Sequence, residues 1–409
     1  MRFLDALKDH VLLFDGAFGT QLQARGFTSG ECPEAWNRSH PEAVQAIHQA
    51  YAQAGSDIVE TNSLGGNRLK LAAFGLADQA AELTRAAVDN AKAAGRMVAL
   101  SIGPSGAFMP PLGALSFDEL YGAYREQAVA AEQAGADLLL FETMTDLAEA
   151  RVGLLAAKEN TSLPVAVSFT FEHNGRTLMG NPPEVLALLF SQMGADMVGM
   201  NCSGGPDELY PIFERFSAYA SAPTHIMPNA GLPQVVDGQT VFPVGPEEMA
   251  EKMRRLLELA PNAIGGCCGT TPEHIARMAA LVAGRKAPER PAQPDYVCSA
   301  RQFMPLAEAL EDVAEVVLPA GQEAWESADA LAEAAGEAAC VLADVSALAD
   351  EGLAELMQEC QQMVLCPMLF ACRDMDQVKA LLPYYHGLTA VRVPDPDLDL
   401  LARYGARAI

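Results

Sequence analysis

The chain has 409 residues, of which half are apolar, and a formal net charge of −26, so it is long enough for two or three domains with a sizeable core. This acidic balance argues against partners such as nucleic acid or an anionic membrane surface, because binding to either needs clustered Lys and Arg. The chain has no uncharged apolar segment of membrane-spanning length and no N-terminal signal-peptide pattern, and with nine cysteines we expect a cytoplasmic protein with reduced thiols.

A short phrase recurs three times along the first two-thirds of the chain, each time after an amphipathic run. The copies begin at Gly55, Gly135 and Gly194, and each reads Gly, a small residue, Asp and then an apolar segment. A glycine after an amphipathic run is typical of a helix end, and the apolar segment predicts a strand buried on both faces.

Five further apolar segments bring the number of predicted strands to eight. These segments are residues 11–14, 97–102, 165–169, 225–227 and 262–265. Strands that alternate with helices imply a parallel sheet, and eight such units in about 285 residues match a (β/α)8 TIM barrel. We therefore predict an α/β protein whose residues 1–285 form this barrel.

The remainder of the chain is predicted to form a linker followed by a smaller domain. Residues 286–297 are rich in proline, which is typical of a linker. Residues 298–409 alternate helical runs with predicted strands and indicate a small C-terminal α/β domain. Those strands are residues 315–318, 340–343, 365–371 and 388–393. We find no catalytic motif in this domain, so the sequence leaves its role open.

Polar side chains follow the predicted barrel strands at their carboxyl ends, the face of a barrel where catalytic groups collect. These residues are Asp15, Glu60, Thr61, Asn62, Glu142, Asn201, Cys202, Asn229, Cys267 and Cys268. A simpler alternative is that each repeated phrase marks only a helix end and a strand start. That alternative accounts for the Gly and Asp residues, but not for the charged and thiol groups that end the copies.

Two adjacent cysteines, Cys267 and Cys268, lie between glycines in the segment 265–272. Adjacent thiols do not readily form a disulfide, but flanking glycines allow both to turn toward one cation. With Cys202 as a third thiolate and a fourth position open, this is the ligand set of a catalytic zinc site, which would bind and ionise a substrate thiol. The alternative is core packing of buried cysteines, which the glycine-rich surroundings disfavour.

These motifs resemble the homocysteine S-methyltransferase family. Within this family, the sequences of the motifs are most similar to those of the homocysteine-binding module of cobalamin-dependent methionine synthase. The resemblance covers residues 1–285 and is carried by segments 15–20, 60–67, 142–146, 201–202 and 265–269.

The resemblance implies a role for each candidate residue. The zinc ligands would be Cys202, Cys267 and Cys268, with Asn229 as an exchangeable fourth ligand. Asp15 and Glu142 would hold the substrate ammonium group, and backbone groups of Asn62, Ser63 and Gly65 would hold its carboxylate. Two alternatives stay open: Asp15 and Glu142 as helix caps or structural ion pairs, and Asn229 as a turn residue.

The function expected from this resemblance is zinc-dependent methyl transfer to the thiol of homocysteine, giving methionine. The chain has no Asp-x-His-x-x-Gly segment, so it carries no cobalamin-ligating histidine motif of its own. The methyl donor would then be a separate methylcorrinoid protein or a folate methyltransferase system. The alternatives are a small onium donor (S-methylmethionine, S-adenosylmethionine or betaine) and a non-catalytic zinc- or thiol-binding protein.

Overall fold

The computed structural model describes residues 3–28, 30–236 and 239–409. Its strands, in chain order, are β1 Leu12–Leu13, β2 Ile58–Glu60, β3 Met97–Ile102, β4 Leu138–Met144, β5 Val165–Phe169, β6 Met197–Cys202, β7 Thr224–Pro228, β8 Gln234–Val236, β9 Gln239–Val241, β10 Ala263–Ile264, β11 Tyr296–Cys298, β12 Phe303–Pro305, β13 Val313–Val317, β14 Cys340–Asp344, β15 Met368–Ala371, β16 Thr389–Arg392 and β17 Ala406–Ala408.

The α-helices alternate with these strands. In chain order they are α1 Phe3–Asp9, α2 Gly19–Gln23, α3 Trp36–Ser39, α4 Pro41–Ala54, α5 Arg68–Leu71, α6 Ala80–Lys92, α7 Phe117–Ala134, α8 Leu147–Asn160, α9 Pro183–Gln192, α10 Pro206–Tyr219, α11 Pro246–Leu256, α12 Pro272–Val282, α13 Leu306–Glu311, α14 Ala324–Ala335, α15 Leu353–Met363, α16 Met375–Leu381 and α17 Leu398–Arg403. No helix in the described part of the chain combines the length and apolar character needed to cross a bilayer.

Eight parallel strands form one sheet, in the order β1-β10-β7-β6-β5-β4-β3-β2. Its two ends meet where the amide of Asp57 donates to the carbonyl oxygen of Leu13 at 2.8 Å and the amide of Leu13 donates to the Asp57 carboxylate at 2.9 Å. The sheet is thus nearly closed, which confirms the predicted (β/α)8 barrel. All eight predicted strands are present.

The repeated phrase has two structural roles, at the end of a helix and at the start of a strand. Gly55, Gly135 and Gly194 have φ values of 106°, 86° and 83°, a left-handed conformation that glycine adopts without a steric penalty, and they stop α4, α7 and α9. The aspartate two residues later then accepts a hydrogen bond from an amide at the start of a neighbouring strand. These bonds join Leu13 to Asp57, Val98 to Asp137 and Val165 to Asp196. The phrase therefore ends a helix and fixes the start of the strand.

The C-terminal residues form a second sheet of five parallel strands in sequence order, β13 to β17. One face of this sheet packs against β11, β12 and α13 through Val297 and Ala309. The finding confirms a small C-terminal α/β domain, and it adds β17, which the sequence did not predict. The domain boundaries at residues 285 and 298 stay predictions.

The C-terminal domain packs on the flank of the barrel formed by α7 to α10. The rings of Phe117 and Tyr384 lie 5.7 Å apart, and the side-chain amide of Asn181 donates to the carbonyl of Ala300 at 3.0 Å. Tyr219 of α10 packs edge-on against Phe303 at 4.9 Å. Aromatic and polar contacts therefore join the two domains along one side.

Candidate active site

Three thiols converge at the carboxyl end of the barrel. Cys202 ends β6, while Cys267 and Cys268 follow β10, and β7 lies between these two strands. The three Sγ atoms all lie within 4.8 Å of one another, and each residue is partly exposed. The barrel thus brings together side chains that are far apart in sequence.

The end of β6 turns sharply at the thiol. Cys202 and Ser203 have φ values of 61° and 66°, which for residues with a side chain costs on the order of 1 kcal/mol each. The hydroxyl of Ser203 is hydrogen-bonded to the hydroxyl of Thr170 at 2.6 Å and accepts from the amide of Phe171 at 2.6 Å. These bonds hold a strained turn directly at a candidate metal ligand.

The glycines around the cysteine pair permit close packing. A Cβ atom on Gly266 would lie 2.5 Å from the hydroxyl oxygen of Thr270, and one on Gly269 would lie 2.2 Å from the ring of Phe242. The Thr270 hydroxyl donates to the carbonyl of Cys267 at 2.7 Å and accepts from the amide of Ala17 at 3.1 Å. Glycine is therefore required at both positions by sterics.

The three thiols affect one another's ionisation. Hydrogen bonds from Cys267 and Cys268 lower the pKa of Cys202, which is therefore the thiol that ionises first. The same interaction raises the pKa of Cys267 well above its ordinary value, and the pKa of Cys268 to about 12. Three thiolates would accumulate negative charge here unless a cation neutralises them, so this donor set fits a metal ion.

Asn229 lies beside the thiols, just past β7. Its side chain is buried, and it is one of the groups that lower the pKa of Cys202. Its Oδ1 atom has no hydrogen-bond partner within the described ranges. A buried carbonyl oxygen without a donor is a suitable exchangeable metal ligand, which is the role that the sequence motif implied.

A cavity of about 550 Å³ opens next to the thiols, and Glu142 forms part of its wall. The Glu142 carboxylate accepts from the Ser101 hydroxyl and from the side-chain amide of Asn201, the latter at 3.1 Å. Burial raises the pKa of Glu142 to about 7. The cavity thus presents a carboxyl group whose charge responds to what binds beside it.

Asp15 lies behind the cavity wall. Both of its carboxylate oxygens accept from the amide of Glu60, at 3.2 and 3.1 Å, and only 1% of the residue is exposed. Its neighbour Gly16 lines the cavity. Burial raises the pKa of Asp15 well above its ordinary value. Asp15 therefore supports the cavity wall through the Glu60 amide and does not itself line the cavity.

Asn62, Ser63 and Gly65 line the same cavity, but two of the expected backbone donors are occupied. The amide of Gly65 donates to Glu34 at 2.7 Å, and the amide of Ser63 donates to the carbonyl of Thr61 at 2.9 Å. These two amides already have partners in this conformation, and their role toward a substrate carboxylate stays a prediction. Lys70 of α5 also lines the cavity and supplies a cation.

Asn201 is a site residue that the sequence interpretation left without a role. Its side-chain amide donates to Glu142 and to the hydroxyl of Thr143, the latter at 2.8 Å, and it lies 3.8 Å from the sulfur of Cys267. It therefore connects the carboxylate side of the site with the thiol side. The available signal was its position, because Asn201 ends the third copy of the phrase much as Glu142 ends the second.

A second cavity, of about 570 Å³, lies on the other side of the thiols. Cys202, Cys268 and Phe242 line both cavities. Phe242 follows the β8–β9 hairpin, an element that the sequence did not predict. The thiols are thus reached from two sides.

Converging thiols and a carboxyl-lined cavity at the carboxyl end of a nearly closed (β/α)8 barrel lie where barrel enzymes place their active sites. The model of the homocysteine S-methyltransferase family matches residues 12–282. The chain belongs to this family, as its motifs predicted.

Two curated relatives are the methionine synthases of Mycobacterium tuberculosis and Mycobacterium leprae. The first is 35% identical over 308 residues, which are 70% of this chain and 26% of the relative. The second is 34% identical over 301 residues, which are 68% of this chain and 25% of the relative. The chain therefore spans about a quarter of the length of these relatives.

Among solved structures, the homocysteine methyltransferase MmuM from Escherichia coli, in its oxidised form, is 25% identical with a TM-score of 0.57. The match covers 68% of this chain and 98% of MmuM. The metallated form of the same enzyme matches at 24% identity with a TM-score of 0.57. The shared part is the barrel, which makes up nearly the whole of MmuM.

Proposed function

We propose that this protein transfers a methyl group to the sulfur of homocysteine, giving methionine, at a zinc site made by Cys202, Cys267 and Cys268. The observation that carries the proposal is the convergence of these thiols within 4.8 Å at the wall of a carboxyl-lined cavity. Zinc has no redox chemistry and accepts sulfur ligands in tetrahedral geometry, which suits a reaction in which sulfur must be activated without being oxidised.

Zinc bound there would supply the positive charge that converts the substrate thiol into a thiolate at neutral pH. Asn229 would hold the fourth position and yield it to the substrate, because its carbonyl oxygen is unpaired and adjacent. Cys202, Cys267 and Cys268 remain in place throughout and fix where the substrate sulfur lies.

The acidic wall would orient the amino acid. Glu142, with Asp15 behind it, favours an ammonium group by charge-assisted hydrogen bonding. Lys70 is the cationic residue among the described cavity-lining groups, and it would attract the substrate carboxylate. With both ends held, the sulfur attacks the methyl carbon in line. The new sulfur–carbon bond forms as the methyl group leaves its carrier, which keeps the electron pair.

We propose a separate methylcorrinoid protein as the methyl donor, recharged by a folate methyltransferase system. Two facts support this donor. The relatives with the higher sequence identity are methionine synthases. The sequence also lacks a cobalamin-ligating histidine motif of the Asp-x-His-x-x-Gly type. A partner would have to deliver the methyl group at the barrel mouth.

A small onium donor is the second candidate, and one observation favours it. MmuM is a homocysteine methyltransferase that consists almost entirely of the shared barrel, so this scaffold needs no further domain in that protein. The cavity of about 570 Å³ on the second side of the thiols is large enough for a small donor.

A donor panel separates the two candidates. Zinc-loaded full-length protein and homocysteine would be incubated with a methylated corrinoid protein, S-methylmethionine, S-adenosylmethionine or betaine, and methionine would be measured. We expect turnover with the corrinoid protein and background rates with the onium compounds. The reason is that the relatives with the higher sequence identity are methionine synthases.

Efficient turnover with an onium compound and none with methylated corrinoid proteins would contradict the partner proposal and establish the second candidate. A Cys202→Ser variant serves as the control, because it removes a proposed metal ligand and should abolish methionine formation with every donor.

A further inference from the structure

A third carboxyl group, that of Glu60, meets Glu142 at the cavity wall. Glu60 ends β2 and lines the same cavity as Glu142, whose negative charge acts on it. Its Oε1 atom is enclosed and has no hydrogen-bond partner in the described residues. Ionised carboxylates are acceptors only, so two of them on one cavity wall repel each other unless one carries a proton.

The surroundings place this proton on Glu60. Both oxygens of Glu142 accept from neutral donors, Oε1 from the Ser101 hydroxyl and Oε2 from the Asn201 amide, and these bonds stabilise its ionised form. No such donor reaches Oε1 of Glu60 in the part of the chain that is described. Burial, and then the charge of Glu142, raise the pKa of Glu60 well above its ordinary value.

Other ionisable groups around Glu60 act in the same direction. Asp15, which follows β1, adds negative charge that raises the pKa of Glu60. Tyr51 of α4 also lies near, because burial first, then Asp15 and then Glu60 raise the pKa of its phenol. Cys202 raises the pKa of Glu142 from the thiol side. Lys70 is the cation among the cavity-lining residues that the structure describes, and it is exposed. An ionised Glu60 would therefore join an acidic cluster with little compensation.

We infer that Glu60 is a specificity-determining residue, which holds a proton against Glu142 in the free pocket and releases it when a substrate ammonium group binds between the two carboxylates. This inference rests on the proposed function. The ammonium group keeps its three protons and takes the place of the Glu60 proton, which leaves to solvent. The positive charge of the ammonium group thus replaces that of the Glu60 proton. A thiol without an amino group cannot make this exchange, so the pocket distinguishes it from an amino acid thiol.

The exchange of the Glu60 proton for an ammonium group determines how many protons each ligand releases on binding. Homocysteine would release about two protons at about pH 7, one from its thiol and one from Glu60. A ligand with the same thiol and carboxylate but no amino group, 4-mercaptobutanoate, would release about one. Because protons are released, affinity for homocysteine rises with pH, and it rises more steeply than affinity for 4-mercaptobutanoate.

The test is calorimetric titration of the zinc-loaded full-length protein in buffers of different ionisation enthalpy. In the wild-type protein we expect homocysteine to release about one proton more than 4-mercaptobutanoate. In Glu60→Gln the difference should vanish, homocysteine should bind on the order of 10- to 100-fold more weakly, and binding of 4-mercaptobutanoate should be unchanged. Glu355→Gln, an exposed change on α15, is the matched control and should behave as wild type.

Equal proton release by the two ligands in the wild-type protein would overturn the inference, and so would a difference that persists in Glu60→Gln. The wild-type comparison needs no variant, so it stands even if Glu60→Gln fails to fold. Failure of the proposed thiolate chemistry looks different, because it would remove one proton from both ligands and leave their difference intact.

Discussion

Cys267→Ser is expected to abolish both metal retention and methyl transfer. The variant leaves two sulfur ligands where three converge within 4.8 Å, and a serine hydroxyl is a poor substitute for a thiolate at zinc. Zinc content should fall from about one ion per chain to near zero after dialysis. Loss of several kcal/mol of charge stabilisation by the metal corresponds to a fall of about 10³-fold or more in rate.

Elemental analysis and the methyl-transfer assay check this prediction together. Cys366→Ser is the matched control, because Cys366 is buried in the core of the C-terminal domain and belongs to no proposed ligand set. It should retain zinc and activity. Unchanged zinc content in Cys267→Ser would mean that the metal site has been assigned wrongly.

Arg151→Met is expected to weaken the attachment of the C-terminal domain to the barrel. Arg151 of α8 is almost fully buried, and its guanidinium donates to the carbonyls of Leu382 and Pro383 at 2.8 Å and of Tyr404 at 3.1 Å. Burial lowers its pKa to about 10, so it stays charged at neutral pH. No carboxylate of the described residues forms an ion pair with it; backbone carbonyls take that role.

Methionine preserves much of the packing volume but removes the donor to the carbonyls of Pro383 and Tyr404, whereas the Leu382 carbonyl keeps the amide of Tyr385 at 3.3 Å. Each unsatisfied buried acceptor costs about 1–3 kcal/mol, and removal of a desolvated charge offsets part of this loss. We therefore expect the free energy of unfolding to fall by about 2–4 kcal/mol. Urea unfolding followed by tryptophan fluorescence and circular dichroism would measure it.

Arg403→Met is the control for this prediction. Arg403 of α17 is exposed and lies 3.7 Å from Glu159, and exposed ion pairs of this kind contribute about 0–1 kcal/mol. A similar small effect in both variants would show that Arg151 does not hold the domains together. Methyl transfer by Arg151→Met at a temperature where it is folded should be close to wild type, because Arg151 is remote from the thiols.

Site residues that are recognisable from their place after a single strand were predictable from the sequence. The identity of the zinc ligand candidates follows from Cys202 and the Cys267–Cys268 pair, and Glu142 follows from its place after an apolar strand. The structure adds a role for Asn201 and Glu60, whose partners lie on other strands. It also shows that the amides of Ser63 and Gly65 are already bonded, the latter to Glu34 from an earlier part of the chain.

The sequence by itself determined the fold class, the eight barrel strands and the thiols, because strand periodicity and left-handed glycines are properties of neighbouring residues. Only the tertiary structure decided which carboxyl group faces the cavity, that Glu60 meets Glu142, and that Arg151 joins the two domains. The physical reason is that these contacts depend on strand register, barrel closure and domain packing. Such features bring together residues from distant segments, and burial among them, more than residue type, sets the charge that each group carries.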